Sequence, residues 1–130
     1  MQVFTARYFN RAILGHRAIQ TSVVCPEWFH PHAQLHEVTP DGWMLNLPDG
    51  EWQKAYRAKL ERVGVDAIRK ALEAAAAGAE SIVLLCYEAV HKGEQCHRRE
   101  FAKFWFEKTG ETIDELAEPA PKPNPQLLLF

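Results

Sequence analysis

Ser81-Ile82-Val83-Leu84-Leu85-Cys86-Tyr87 decides the fold. From Ile82 to Cys86 no polar side chain interrupts the apolar run, so this segment cannot be a strand with one wet face. It reads as a strand covered on both sides, the kind found inside parallel sheets. Upstream, Val65, Ile68, Leu72 and Ala75 recur at helical spacing, and the run Ala74 to Ala77 suits close packing on a sheet before Gly78 stops it. Before that, Trp52, Tyr56, Leu60 and Val63 mark another helix, with Asp49 as its expected N-cap and Gly64 at its end. Downstream, Glu88 to Gln95 is a charged loop. Cys96 to Thr109 is then a helix with Phe101, Phe104, Trp105 and Lys108 on one side and Gly110 as C-cap.

Two strands are expected before the helices, Gln2 to Thr5 and Ala18 to Cys25, and a last one within Thr112 to Leu116. Strands alternating with helices imply an α/β fold, an open and largely parallel sheet with flanking helices in a three-layer, Rossmann-like arrangement. Residues 1–116 form one domain, residues 117–125 a proline-rich linker, and residues 126–130 a terminal peptide. Between Pro26 and Pro48 runs a long aromatic segment, with Trp28, Phe29, His30, His32, His36 and Trp43. Such a segment is either a mobile lid or a packed, irregular wall of a pocket.

With 130 residues the chain is long enough to bury a core, and 47% hydrophobic against 25% charged residues is an ordinary globular balance. A net charge of −2 leaves no basic field to hold nucleic acid non-specifically. No apolar run approaches the ~18 residues of a membrane span, and no basic head with an apolar stretch opens the chain, so a cytoplasmic location without membrane contact is expected. Three cysteines, Cys25, Cys86 and Cys96, suit thiols in a reducing compartment.

In open α/β sheets ligands bind beyond the carboxyl ends of strands, and helix N-termini offer unpaired N–H groups. Cys86, Tyr87 and Glu88 sit at such a strand end, and Cys96, His97, Arg98 and Arg99 at such a helix start, so one crevice gathers them. A thiol at a helix N-terminus beside histidine and arginine is easier to ionise than a free one. Cys96, His97 and Glu88 are the candidate catalytic residues: Cys96 as nucleophile or orienter, His97 or Glu88 moving a proton. Arg98 and Arg99, with Arg7, are the candidate anion-binding residues, because a basic pair in a first turn opposes the helix dipole and asks for an anionic partner. Cys86, Tyr87, Trp28 and His30 are expected to wall the site, with a nucleotide or nucleic-acid phosphate as the ligand class. The competing reading is a non-catalytic adaptor or structural protein whose cysteines serve packing and whose tail serves oligomerisation.

The stretch Val83-Leu84-Leu85-Cys86-Tyr87-Glu88, followed by Cys96-His97-Arg98-Arg99 and a helix containing Trp105, resembles the bacterial and phage family called domain of unknown function 488 (DUF488). Glu51-Trp52-Gln53-Lys54-Ala55-Tyr56 and Gly64-Val65 are similar to that family's approach to the motif, and the resemblance runs roughly from Val3 to Leu116. It implies a fold and a site rather than a reaction.

No cofactor is predicted. Zinc would draw on Cys25, His30, His32 or His36 together with Cys86, Cys96 or His97, but Cys25-x4-His30-x-His32 fits no standard finger spacing. The tail carries a partner expectation. Gln126-Leu127-Leu128-Leu129-Phe130 resembles the Gln-Leu-Ser/Asp-Leu-Phe peptide by which bacterial replication and repair proteins bind the DNA polymerase sliding clamp (beta clamp). Leu127, Leu129 and Phe130 would each contribute ~1.5–3 kcal/mol on burial, the Gln126 amide would fix register, and an extended spacer reaches ~28 Å. A clamp would bring a protein with no basic surface to DNA.

Overall fold

The computed structural model describes residues 1–88 and 95–119. Among these, β1 (Gln2–Arg7), β2 (Arg17–Gln20), β3 (Ala33–Gln34), β4 (Ser81–Cys86) and β5 (Asp114–Glu115) form one sheet. Every pairing is parallel and the order across the sheet is β3-β2-β4-β1-β5, so the apolar run is the central strand. β1 follows it residue for residue from Gln2 opposite Ser81 to Arg7 opposite Cys86, and β2 sets Ala18 opposite Val83 from the other side. Successive side chains on a strand point to opposite faces. Ile82 and Leu84 therefore enter one apolar cluster while Val83 and Leu85 enter another.

The helices α1 (Glu51–Val63), α2 (Val65–Ala76) and α3 (His97–Thr109) all pack on the Ile82 and Leu84 face, through Tyr56, Leu60, Ile68, Leu72, Phe104 and Trp105 among others. The other face is covered by irregular chain: Tyr8, Ile13 from a short 3₁₀ turn, Phe29 and Leu116. Connection handedness explains the split. Parallel crossovers are right-handed, so connections stepping towards opposite edges must cross opposite faces. The chain steps one way from β1 through β2 to β3 and the other way from β3 through β4 to β5. Only the second set of connections is long enough to hold helices. The three layers are thus helices, sheet and a thin irregular cover.

Several boundaries differ from the sequence reading. The strand expected over Ala18 to Cys25 leaves the ladder at Gln20, because the Thr21 hydroxyl donates to the Leu85 carbonyl (3.0 Å) and the Ser22 hydroxyl pairs with the Tyr8 hydroxyl (2.7 Å). Gly50, not Asp49, caps α1; its φ of +87° suits glycine, and Asp49 instead accepts from the Trp52 indole N–H at 2.9 Å. The strand expected over Thr112 to Leu116 is confined to Asp114–Glu115. Of the lid and wall alternatives for residues 26–48, the packed wall is found: Leu35, Val38 and Met44 are buried in the helix-side core, and β3 joins the sheet. No helix among the described residues is long and apolar enough to cross a membrane. The linker beyond Pro119 and the peptide Gln126 to Phe130 lie outside the described residues.

Candidate functional site

Where neighbouring strands send their following segments over opposite faces, their carboxyl ends part and leave a crevice. β2 and β4 are such a pair, since the chain leaves β2 over the irregular face and β4 towards α3 on the helix face. Cys86 ends β4, Thr21 follows β2, and Cys96 caps α3 with an extended backbone and no side-chain cap bond. Cys86 and Cys96 are joined in a disulfide, and both are buried. The expectation of three thiols is corrected here. Cys25 alone is free, half-buried, with its Sγ 3.4 Å from the Phe29 carbonyl and its pKa raised by burial.

His97 follows directly, buried against the Tyr56 ring with centroids 5.6 Å apart. Its Nε2 lies 3.4 Å from the Thr21 hydroxyl and its Nδ1 lies 3.8 Å from Cys96 Sγ. Because the Thr21 hydroxyl spends its hydrogen on the Leu85 carbonyl, it faces Nε2 as an acceptor. The imidazole proton therefore sits on Nε2, and Nδ1 turns a lone pair towards the sulfur. Burial pushes the His97 pKa down to about 4, with the Arg98 charge a lesser cause, so the ring is neutral near pH 7.

Arg98 is fully buried and committed to neighbours within the chain. Nε and Nη2 form a fork on the Glu115 carboxylate at 2.9 and 2.7 Å, Nη2 also donates to the Glu88 carbonyl at 2.8 Å, and Nη1 donates to Cys86 Sγ at 2.8 Å. The anionic partner that a first-turn arginine asks for is the chain's own Glu115. Arg99 donates to the Thr5 hydroxyl (2.9 Å) and the Ile113 carbonyl (3.0 Å), and Arg7 pairs with Glu118. These three side chains tie β1, β5 and α3 together.

A groove of about 430 Å³ opens beside the disulfide, and Cys96, His97 and Glu88 line it together with Met44, Asp49 and Trp52. Cys86 is not among its lining residues, so Cys96 is the sulfur nearer to a visitor. The described lining carries two carboxylates, Asp49 and Glu88, and no lysine or arginine. Glu88 Oε2 lies 3.2 Å from Cys86 Sγ. Of the other expected wall residues, Tyr87 packs on Tyr8 with centroids 5.0 Å apart, and Trp28 packs on Phe9 and Phe29. His30 is exposed and, like Trp28 and Tyr87, is not part of the groove lining. Sequence reasoning missed Thr21, Tyr56 and Glu115. Only Glu115 left a signal, the unexplained charge of the arginine pair.

No model of a protein family matches the chain, and neither a characterised protein nor a solved structure does, so the DUF488 resemblance rests on its motifs alone.

Proposed function

We propose that the crevice is a thiol–disulfide redox centre in which Cys96 meets the substrate and Cys86 resolves the intermediate. The observation that carries this reading is a pair of bonded sulfurs at the crevice between β2 and β4, with Cys96 alone of the two lining the groove. In the reduced state the Cys96 thiolate attacks a disulfide R–S–S–R, forming a Cys96–S–S–R bond and releasing one RS⁻. Cys86 then attacks Cys96 Sγ, closing the bridge and releasing the second RS⁻. Protons from the two protein thiols end on the two released thiols, and two electrons pass from protein to substrate. The Arg98 guanidinium, held at 2.8 Å from Cys86 Sγ, favours negative charge on the attacking sulfur in the second step. His97 Nδ1 accepts a hydrogen bond from the Cys96 thiol and orients it for the first step.

Among the described residues the groove wall is apolar with Asp49 and Glu88 as its carboxylates, and this lining favours a neutral or cationic substrate over a phosphate. To test the proposal, the reduced protein is mixed with bis(2-hydroxyethyl) disulfide, a neutral substrate, and its mass followed. Loss of two hydrogens is expected, with a mercaptoethanol adduct trapped on Cys96 in Cys86→Ser and little adduct on Cys86 in Cys96→Ser. Absence of an intramolecular bridge, or equal adducts in both variants, removes the proposal.

Recruitment by the sliding clamp is a separate proposal, supported by the sequence Gln126-Leu127-Leu128-Leu129-Phe130. It needs no particular chemistry in the crevice. Titration of the clamp with the intact chain and with a form carrying Gln126→Ala, Leu129→Ala and Phe130→Ala tests it, micromolar binding by the intact chain alone being expected.

A further inference from the structure

We infer that the opened cysteine pair is a zinc-type metal site, held by Cys86, Cys96 and His97, so that bridge and metal are alternative states of one centre. The inference rests on the redox proposal in one respect, that the bridge opens. The ligand atoms of these three buried residues all lie within 4.8 Å of one another. Two thiolates and one imidazole are a borderline-soft set, which selects zinc over calcium or magnesium. In a tetrahedral site with Zn–S ~2.3 Å and Zn–N ~2.1 Å, a sulfur and a nitrogen lie about 3.6 Å apart. The separation found between Cys96 Sγ and His97 Nδ1 is 3.8 Å, so this half of the site is in place before any metal arrives.

The other half needs Cys86 Sγ to move away from Cys96 Sγ, to about 3.8 Å for two thiolates on one tetrahedral ion. The backbone already allows it. The two Cα atoms stand 7.7 Å apart, wider than the ~4.4–6.8 Å usual for bridged cysteines, so parting the sulfurs asks for no backbone separation. The surroundings complete a metal site in three ways. His97 turns the Nδ1 lone pair inwards and gives its Nε2 hydrogen to Thr21, the outer hydrogen bond that fixes a ligating imidazole. Arg98 donates to Cys86 Sγ, a contact that a metal-bound thiolate accepts, while Glu115 balances the arginine charge. The fourth position faces the groove, where Glu88 lies beside Cys86.

The exchange balances. Reduced protein and Zn²⁺ give the bis-thiolate complex and two protons. The complex, a low-molecular-weight disulfide R–S–S–R and two protons give the Cys86–Cys96 bridge, two RSH and free Zn²⁺. Oxidation therefore ejects the ion, and reduction readmits it.

The test uses the full chain, reduced and freed of reductant under nitrogen, and titrated with Co²⁺ as an optical probe. One equivalent should bind with visible bands of tetrahedral intensity and a near-ultraviolet thiolate charge-transfer band, and Zn²⁺ should displace it. The oxidised chain should show no such bands. Adding bis(2-hydroxyethyl) disulfide to the zinc form should release one Zn²⁺ to a chromogenic chelator for every two thiols lost. His97→Gln and Cys96→Ser should weaken binding at least a hundredfold, and Thr21→Val roughly tenfold, while Cys25→Ser changes nothing. Circular dichroism reports whether each variant folds, and the comparison of reduced with oxidised wild type needs no variant. Failure of the reduced chain to bind Co²⁺ at micromolar concentration, while its bridge still opens and closes, overturns the metal site and leaves the redox proposal standing. Equal binding by the oxidised chain also overturns it. A bridge that never forms, with cobalt bound by Cys86, Cys96 and His97, overturns both the redox proposal and the exchange of bridge for metal, and keeps the metal site alone.

Discussion

Replacing Arg98 by alanine should unfold the corner where α3, β1 and β5 meet. The guanidinium is fully buried, its fork on Glu115 is bidentate, and Glu115 also accepts from the Thr5 hydroxyl at 2.7 Å. Breaking a buried pair by removing one partner costs ~3–5 kcal/mol, much of it the penalty of the charge left behind. Here that charge is the Glu115 carboxylate, whose side chain keeps about a quarter of its surface in solvent and regains some hydration. Loss of the buried arginine stem works the other way, leaving a cavity beneath β4. The two corrections oppose each other, so ~3–5 kcal/mol remains the expectation, and a domain of this size would melt roughly 10–20 °C lower. Urea unfolding at pH 7 of the wild type, Arg98→Ala, Glu115→Gln and the double variant measures it. The double variant should be less destabilised than the sum of the singles, by about 1–3 kcal/mol. Additive effects, or an Arg98→Ala protein within 1 kcal/mol of wild type, would show that Arg98 is not spent on the fold and return it to ligand binding.

His97 should give the metal-free protein an acid-sensitive stability. Its pKa is about 4 folded against 6.5 as the unperturbed value, so below pH 6.5 the unfolded chain binds a proton that the folded chain refuses. Stability from this group is complete above pH 6.5 and is lost by about 3 kcal/mol as pH falls through 4. Urea midpoints between pH 7.5 and 4, in chelator, should fall more steeply for wild type than for His97→Gln, and parallel curves would refute the sign. Iodoacetamide without reductant should label Cys25 alone and slowly, since burial raises its thiol pKa; labelling at all three cysteines would remove the bridge. Phe104→Ala, which removes a buried ring that also carries the Arg57 guanidinium, should cost ~3–5 kcal/mol by calorimetry and leave the cysteine bridge intact.

Local periodicity made the central strand and three helices legible, because Ile82 to Cys86 can only be buried on both faces and residues such as Tyr56, Leu60, Ile68 and Leu72 repeat at helical spacing. Strand order was not legible. It depends on which strands pair across long stretches of chain, and nothing in Gln2 to Arg7 announces that it lies beside β4 rather than beside β2. The site was read in half for the same reason. Cys96, His97 and Arg98 are neighbours in sequence and their juxtaposition with the end of β4 follows from strand-loop-helix order. Thr21 and Glu115 arrive through the sheet, so the tautomer of His97 and the commitment of Arg98 were invisible. The N-cap was misplaced because Asp49 satisfies the indole of Trp52, leaving Gly50 to take the unusual backbone angle.

The position of β4 in the middle of the sheet sets a timetable for folding. β1 and β2 never touch each other as neighbours: both lie against Ser81–Cys86, and their outer partners are only the two-residue strands β5 and β3. While a ribosome is still making α1 and α2, β1 has no edge to join and β2 has only the two-residue β3. Assembly of the longer strands then becomes possible at one moment, when β4 emerges and closes two long loops together, and such non-local closure is slow. Nascent chains halted before residue 81 should be readily digested by protease, and those extended through Thr109 should become resistant in one step, without a stable intermediate made of β1 and β2 alone.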